Sequence, residues 1–435
     1  MTRWRADSHE SARCPQRFGM VCCARAHETT EPMEILGAFW TEVTMNADAY
    51  IKLDKSELAN IRAQYPIVEK CIYWNNAAVS PISIGVRDAI ARQAALHTLD
   101  TSGITVASGP TRDEGRRLAA KLVGSTADRV AYIQNTSHGL SLVALGIDWN
   151  AGDNIVVPEL EFPSNYLIWE SLSRHGVEVR KMKARDGALA PDDLRPLVDV
   201  RTKLVAVSHV QFYSGFRVDL AAFSQICSEF DALLVVDGTQ SVGVLNIDMA
   251  ADGVDVLAVS AHKWMLGPVG IGFIAFSEKA FARIRPSIVG WLSVNDAFSF
   301  HRVLDFLPDA RRFEPGTENG PGVFGLARRL EEIDSIGMKQ IEDYVMELGN
   351  KIRTQAKRAG YNVMSDWPPQ SQSGIILVRN SAIPTSVLFE RLNSAGIKCS
   401  VRNDAIRFSP HCYSNDDELS SVFDVLRSAS QSYAG

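Results

Sequence analysis

Six short aliphatic runs constrain this chain more than anything else in it. Val130–Ile133, Asn154–Val157, Val177–Met182, Lys203–Val207, Leu233–Val236 and Val254–Ser260 read as strands, and helical stretches fall between most of them. Strands this apolar on both sides are buried on both faces. Alternation with helices makes them parallel, so the pattern predicts an α/β fold with a mainly parallel sheet covered by helices on both faces. Ligands of such sheets bind outside the carboxyl ends of the strands.

The strand ends carry the residues of chemical interest. Val254–Ser260 delivers Ser260-Ala261-His262-Lys263, then a glycine-rich turn and another strand. Leu233–Val236 ends in Asp237, with Gln240 three residues on. An unpaired carboxylate at the end of an aliphatic strand is costly unless a cation faces it. A lysine with depressed basicity forms a Schiff base with an aldehyde and later carries protons. Together they fit pyridoxal 5'-phosphate (PLP), whose protonated ring nitrogen would face Asp237. The bland alternatives are a surface lysine and a helix cap.

Three further segments support that reading. Asn135-Thr136-Ser137-His138-Gly139 joins a strand to a helix, where backbone N–H groups and hydroxyls receive phosphate. Phe162, in Glu161-Phe162-Pro163-Ser164-Asn165, can stack on a planar ring. Arg407 lies mid-strand among apolar neighbours and suits a substrate carboxylate, with Arg402 a second candidate.

Composition excludes other classes. The 435 residues are 46% hydrophobic and 22% charged, with a net charge of -6 and both signs scattered, which gives no nucleic-acid surface. No apolar run reaches the roughly 18 residues of a membrane span. Seven irregularly spaced cysteines give neither a disulfide framework nor a metal site and suit a reduced cytoplasmic setting.

Beyond Pro286 a loop-rich stretch leads to a helical region, Val323–Ala359, interrupted near Gly337 and so read as two helices. A small α/β portion closes the chain. The expected organisation is a disordered extension (1–45), a segment packing with the small domain (46–70), a large cofactor-binding domain (71–325) and a small C-terminal domain (326–435).

From Asn75-Asn76-Ala77-Ala78 to Arg407-Phe408-Ser409, and above all in Asp237-x-x-Gln240 followed by Ser260-x-His262-Lys263, the chain resembles the class V aminotransferases of PLP fold type I. That group includes cysteine desulfurase-like, isopenicillin N epimerase-like and kynureninase-like enzymes. The resemblance implies a seven-stranded large domain and a homodimer with shared active sites. It implies Lys263 as the Schiff-base lysine, Asp237 at the ring nitrogen, Gln240 at the ring oxygen and Phe162 on the ring. Ser137, the His138 backbone, Ser260 and His262 would meet the phosphate, and Thr317 would reach the neighbouring subunit's phosphate. Asn76, Ala77 and Arg407 would face the substrate.

Two departures bear on the reaction. Desulfurases of this kind carry a persulfide cysteine in a loop before the carboxylate-binding arginine, whereas here only Asn403-Asp404 follows Arg402 before the next strand. Desulfurases also carry His where Phe162 stands. The leading expectation is transamination of an L-amino acid or related amine. A C–S lyase, an epimerase or a kynureninase-like hydrolase are the alternatives, with a non-catalytic PLP-binding protein behind them.

Overall fold

The computed structural model describes residues 53–99 and 104–434. The expected extension (1–45) and the first part of the next segment lie outside them. The strands in chain order are β1 (Ile72–Tyr73), β2 (Val130–Ile133), β3 (Asn154–Pro158), β4 (Glu178–Met182), β5 (Thr202–Ser208), β6 (Leu233–Asp237), β7 (Val256–Ser260) and β8 (Gly272–Phe276). They continue with β9 (Asn362–Val363), β10 (Ile376–Arg379), β11 (Ile397–Lys398), β12 (Ser400–Arg402) and β13 (Ala405–Phe408).

Seven of these strands form one sheet in the order β2-β8-β7-β6-β5-β3-β4. Only β8 runs against the rest. Alternate residues feed opposite cores, as the two-residue period of a strand requires. Val205, Val207, Leu234 and Val236 pack on one face; Leu204, Ala206, Leu233 and Val235 pack on the other. Gly272 opens β8, where a Cβ would sit 2.0 Å from the Val259 carbonyl oxygen, so only glycine lets the chain turn back this tightly.

A second sheet, β12-β13-β10-β9, is antiparallel throughout. Leu388, Leu392, Phe423 and Leu426 from two helices, Thr385–Ser394 and Asp416–Ala434, cover it together with Ile352 from Met338–Arg358. β1 pairs with β11, and Arg62 donates to the Tyr413 carbonyl and to Glu418, which ties the first helix (Lys55–Ala63) to the C-terminal region.

The helical region divides where expected. One helix spans Gly320–Ile336 and the next Met338–Arg358, separated by Gly337 at φ 91°. The expected domain boundary at 325/326 therefore falls inside a helix. A further helix runs from Ile104 to Leu122 with Pro110 inside it. Proline removes one backbone donor, but the helix carries on through it, so the rule that a proline marks a boundary fails here.

No helix among the described residues is long and apolar enough to cross a membrane.

Candidate active site

β2, β3, β5, β6 and β7 all point their carboxyl ends to one edge of the large sheet. A cavity of about 390 Å³ opens there, and β12 and β13 close it from the other side. Ser137, Phe162, Asp237, Gln240, Ser260, His262, Lys263, Ala77, Arg402 and Arg407 all line it. Residues nearly 330 positions apart are thereby brought together.

Asp237 is 6% exposed at the end of a wholly buried strand. Its Oδ1 accepts the Thr239 N–H at 2.9 Å. Burial raises its pKa, against the hydrogen bond from Thr239 and the charge of Lys263. Lys263 is the counterpart. Burial lowers its pKa; Asp237 opposes this, and Arg407 and Arg402 add to it. Its Nζ lies 5.1 Å from the centre of the Phe162 ring. Phe162 is held edge-on by Phe212, with ring centres 5.2 Å apart.

A lattice of hydroxyls shapes the helix that starts at Thr136. Thr136 Oγ1 lies 2.6 Å from Thr239 Oγ1 and 2.8 Å from Ser260 Oγ, and the Thr136 N–H donates to Ser260 Oγ at 2.8 Å. Ser260 thus organises the cradle as well as lining it. Ser137 Oγ donates to Ser164 Oγ at 2.8 Å. His262 lines the cavity, its pKa lowered by burial and by Lys263.

Arg407 is buried on β13. Its Nε donates to Ser400 Oγ at 3.0 Å and its Nη1 to the Phe212 carbonyl at 3.2 Å, while its buried Nη2 has no partner. Burial, then Arg402, pull its pKa down to about 10. An arginine with an unused buried donor facing a cavity is a receptor for an anion.

Three expected contacts are placed differently. The His138 N–H donates to the capping Asn135 side chain at 3.0 Å, so this donor is committed to the helix start. Asn76 does not line the cavity; its amide donates to the Ser409 carbonyl and accepts from Tyr413, which makes it a tie between segments. Gln240 lines the cavity, but its amide donates to the Ala77 carbonyl and accepts from the Trp264 indole. Thr317 lines a separate cavity with Trp291 and Phe298. Thr136 and Thr239 were not singled out in the sequence. Both stand beside residues that were, in Asn135-Thr136-Ser137 and Asp237-Gly238-Thr239-Gln240.

Behind Phe162, the buried Glu161 accepts from the Ser208 N–H at 2.7 Å, from the Ser208 hydroxyl and from Gln211 Nε2 at 2.8 Å. Burial pushes its pKa up to about 7 against those hydrogen bonds. The folded protein therefore keeps this proton when the unfolded chain has released it. The resulting stabilisation is full below about pH 4.5 and is lost as pH rises through 7, about 3 kcal/mol in all. Chemical denaturation of wild type and Glu161→Gln from pH 4 to 8 should show stability falling more steeply in wild type. Parallel curves would refute the assignment.

A buried strand-end carboxylate, a lysine of lowered pKa under an aromatic ring, hydroxyls at a helix start and an unpartnered guanidinium nitrogen suit a phosphorylated aldehyde cofactor and an amino acid. The family model described as Aminotransferase class-V matches residues 72–420. The chain belongs to this family. PLP is the cofactor of class V enzymes, this one included.

The class V relatives span several activities by name. A probable cysteine desulfurase of Methanothermobacter thermautotrophicus is 28% identical over 390 residues, covering 84% of this chain and 96% of the relative. An uncharacterized aminotransferase of Schizosaccharomyces pombe is 29% identical over 327 residues, covering 72% of this chain and 81% of the relative. Among solved structures, the apo cysteine desulfurase from Thermococcus onnurineus superimposes with a TM-score of 0.78 at 24% identity, covering 86% of this chain and 98% of that one. The cystine C–S lyase C-DES, in complex with its product cysteine persulfide, gives 0.78 at 21% identity, covering 84% and 99%. At these identities the structural likeness speaks for the fold.

Proposed function

We propose that this class V enzyme is a C–S lyase that eliminates a thiol from an L-cysteine derivative without a persulfide cysteine of its own. The observation that carries this is the hairpin before Arg407. β12 and β13 are joined by Asn403 and Asp404 alone, both at φ 51°, which leaves no loop for a cysteine. Cys399 and Cys412 are buried beside this hairpin, their thiols pushed up to about 12 and 11, and no cysteine lines the cavity among the described residues. The desulfurase and C–S lyase names among the relatives favour sulfur chemistry over the transamination expected first.

The bound cofactor supplies an electron sink for the bond-breaking carbon. In this reading Asp237 would hold the ring nitrogen protonated, Phe162 would cover the ring, and Ser137 with the hydroxyls around Thr136 would receive the phosphate. Arg407 holds the α-carboxylate with its free Nη2. Lys263 would remove the α-proton, the Cβ–S bond would break with its electron pair leaving on sulfur, and the Lys263 ammonium or water would protonate the thiolate. One water is consumed, and the thiol, pyruvate and ammonium are released.

We also propose the homodimer. Trp291 and Phe298 line one cavity with Thr317, and Phe300, Val303 and Leu304 also expose apolar surface, as an interface that carries Thr317 to a second subunit requires. The division into large and small domains and the reduced cytoplasmic setting belong to the same proposal; Cys71, Cys227, Cys399 and Cys412 are free.

The deciding assay incubates holoenzyme with L-cysteine, L-cystine and S-substituted L-cysteines and no keto acid. Catalytic release of pyruvate is expected, with a thiol from the S-substituted L-cysteines and cysteine persulfide from L-cystine. Turnover that needs a keto acid acceptor would make the enzyme an aminotransferase. Alanine with bound persulfide would make it a desulfurase.

A further inference from the structure

One cation of the cavity has no anion assigned to it. Three cationic side chains line the cavity, Lys263, Arg402 and Arg407, against one acid, Asp237. On the reading above, Lys263 is the neutral base that takes the α-proton, Asp237 would face the ring nitrogen and the phosphate would meet the helix start. Arg407 takes the α-carboxylate. Arg402 is left over.

The hairpin places Arg402 by register. Ser400 pairs with Arg407 and Arg402 with Ala405, so Ser400, Arg402, Ala405 and Arg407 project from the same face of the two strands. That face looks into the cavity, which both arginines line. Arg402 Nη1 donates to the Val401 carbonyl at 2.6 Å, and among the described residues no carboxylate pairs with it. Asp404, two residues on, lies 3.7 Å from Arg379 instead. The charge of Arg402 is felt at both Lys263 and Arg407, whose basicity it lowers, so it stands close to the reacting region. A guanidinium placed beside two other cations with no acid of its own is destabilising until an anion arrives.

We propose that Arg402 is a specificity-determining residue that binds a second anionic group, carried on the substrate's side chain. The substrate class is then an L-cysteine derivative whose sulfur substituent ends in a carboxylate or a comparable oxyanion. This rests on the cavity being the amino-acid site, and it does not depend on which bond is broken.

The test compares S-carboxymethyl-L-cysteine with its neutral isostere S-carbamoylmethyl-L-cysteine on the holoenzyme. Half-saturation of the cofactor's visible band change reads binding, and pyruvate release reads turnover separately. The acid should bind more tightly than the amide by about 10- to 150-fold, the range of a charged hydrogen bond. In Arg402→Gln that ratio should collapse to near one, and Arg402→Lys, which keeps the charge without the fork, should fall between. An equal response to acid and amide in wild type, or a ratio unchanged in Arg402→Gln, overturns the proposal while the cavity remains the amino-acid site. No band change with either compound removes that reading and the proposal with it. A band change with the proposed ratio but no pyruvate keeps Arg402 in this role and refutes only the elimination chemistry.

Discussion

Lys263→Ala is expected to abolish turnover, with kcat falling by at least about 10⁴-fold, the upper range of a positioned acid–base group. The same change should leave the fold nearly untouched. The loop is held through its backbone: the Lys263 carbonyl accepts the Ser80 hydroxyl at 2.6 Å and the Leu266 N–H at 2.8 Å. Its ammonium stands in the cavity under Phe162, and burial among Arg402 and Arg407 already works against its charge. Removing it relieves that cost. The variant should therefore match wild type in denaturant midpoint, or exceed it, while retaining no covalently held cofactor after borohydride reduction and gel filtration under denaturing conditions. Added ethylamine should restore part of the rate, because a small amine can occupy the vacated space and carry the α-proton. A variant that keeps wild-type turnover would show that the proton carrier is another residue, and His262 would be examined next, since it lines the same cavity.

The parts of the site that were legible in the sequence are those fixed by a single strand. A strand's last residue lies at the sheet edge wherever the strand sits. Asp237, Ser260 and Lys263 could thus be placed before their neighbours were known. What could not be read is set by which strands are adjacent. β2 and β7 are separated by the antiparallel β8, yet Ile133 and Ser260 both pair with Gly272. That shared register is why Thr136 meets Ser260 just beyond the strand ends, and nothing in either segment announces it. The hydrogen-bond partners of Gln240 could not be read for a similar reason. Its spacing from Asp237 put it at the cavity, but its partners Ala77 and Trp264 come from other segments and take up its amide. His138 was misread locally. An asparagine preceding the helix caps the N–H that the phosphate was expected to use, and that cap is visible in Asn135-Thr136-Ser137-His138 once the helix start is put at Thr136. Arg407 was legible because a lone arginine in an apolar strand needs an anion; the idle neighbour Arg402 acquires meaning only from the hairpin register.

Asp237→Asn should lower kcat by about 10²- to 10³-fold, the cost of removing one fixed electrostatic group from a site that excludes water. Asparagine has the same shape, and its carbonyl oxygen can still accept the Thr239 N–H. The change therefore isolates charge from packing. Leu233, Leu234, Val235 and Val236 are buried beside it, so the carboxylate lies where desolvation favours the neutral acid, and only Thr239 and the charge of Lys263 oppose that. A group in that state gains most from a cation placed against it, which is the role proposed for the ring nitrogen. Two measurements then move in opposite directions. The protein without cofactor should be as stable as wild type or more so, because burial costs this carboxylate more than Thr239 and Lys263 return. The cofactor should dissociate more readily, because its ring has lost the anion that held it protonated. A purely structural aspartate would give the reverse: lower stability of the cofactor-free protein and an unchanged rate per bound cofactor. Equilibrium dialysis of the cofactor, denaturation of the cofactor-free protein and kcat normalised to bound cofactor separate the two. If kcat stays within about threefold, a range far too small for a lost electrostatic group, Asp237 is not the partner of the ring and the orientation proposed for the cofactor in this cavity is wrong.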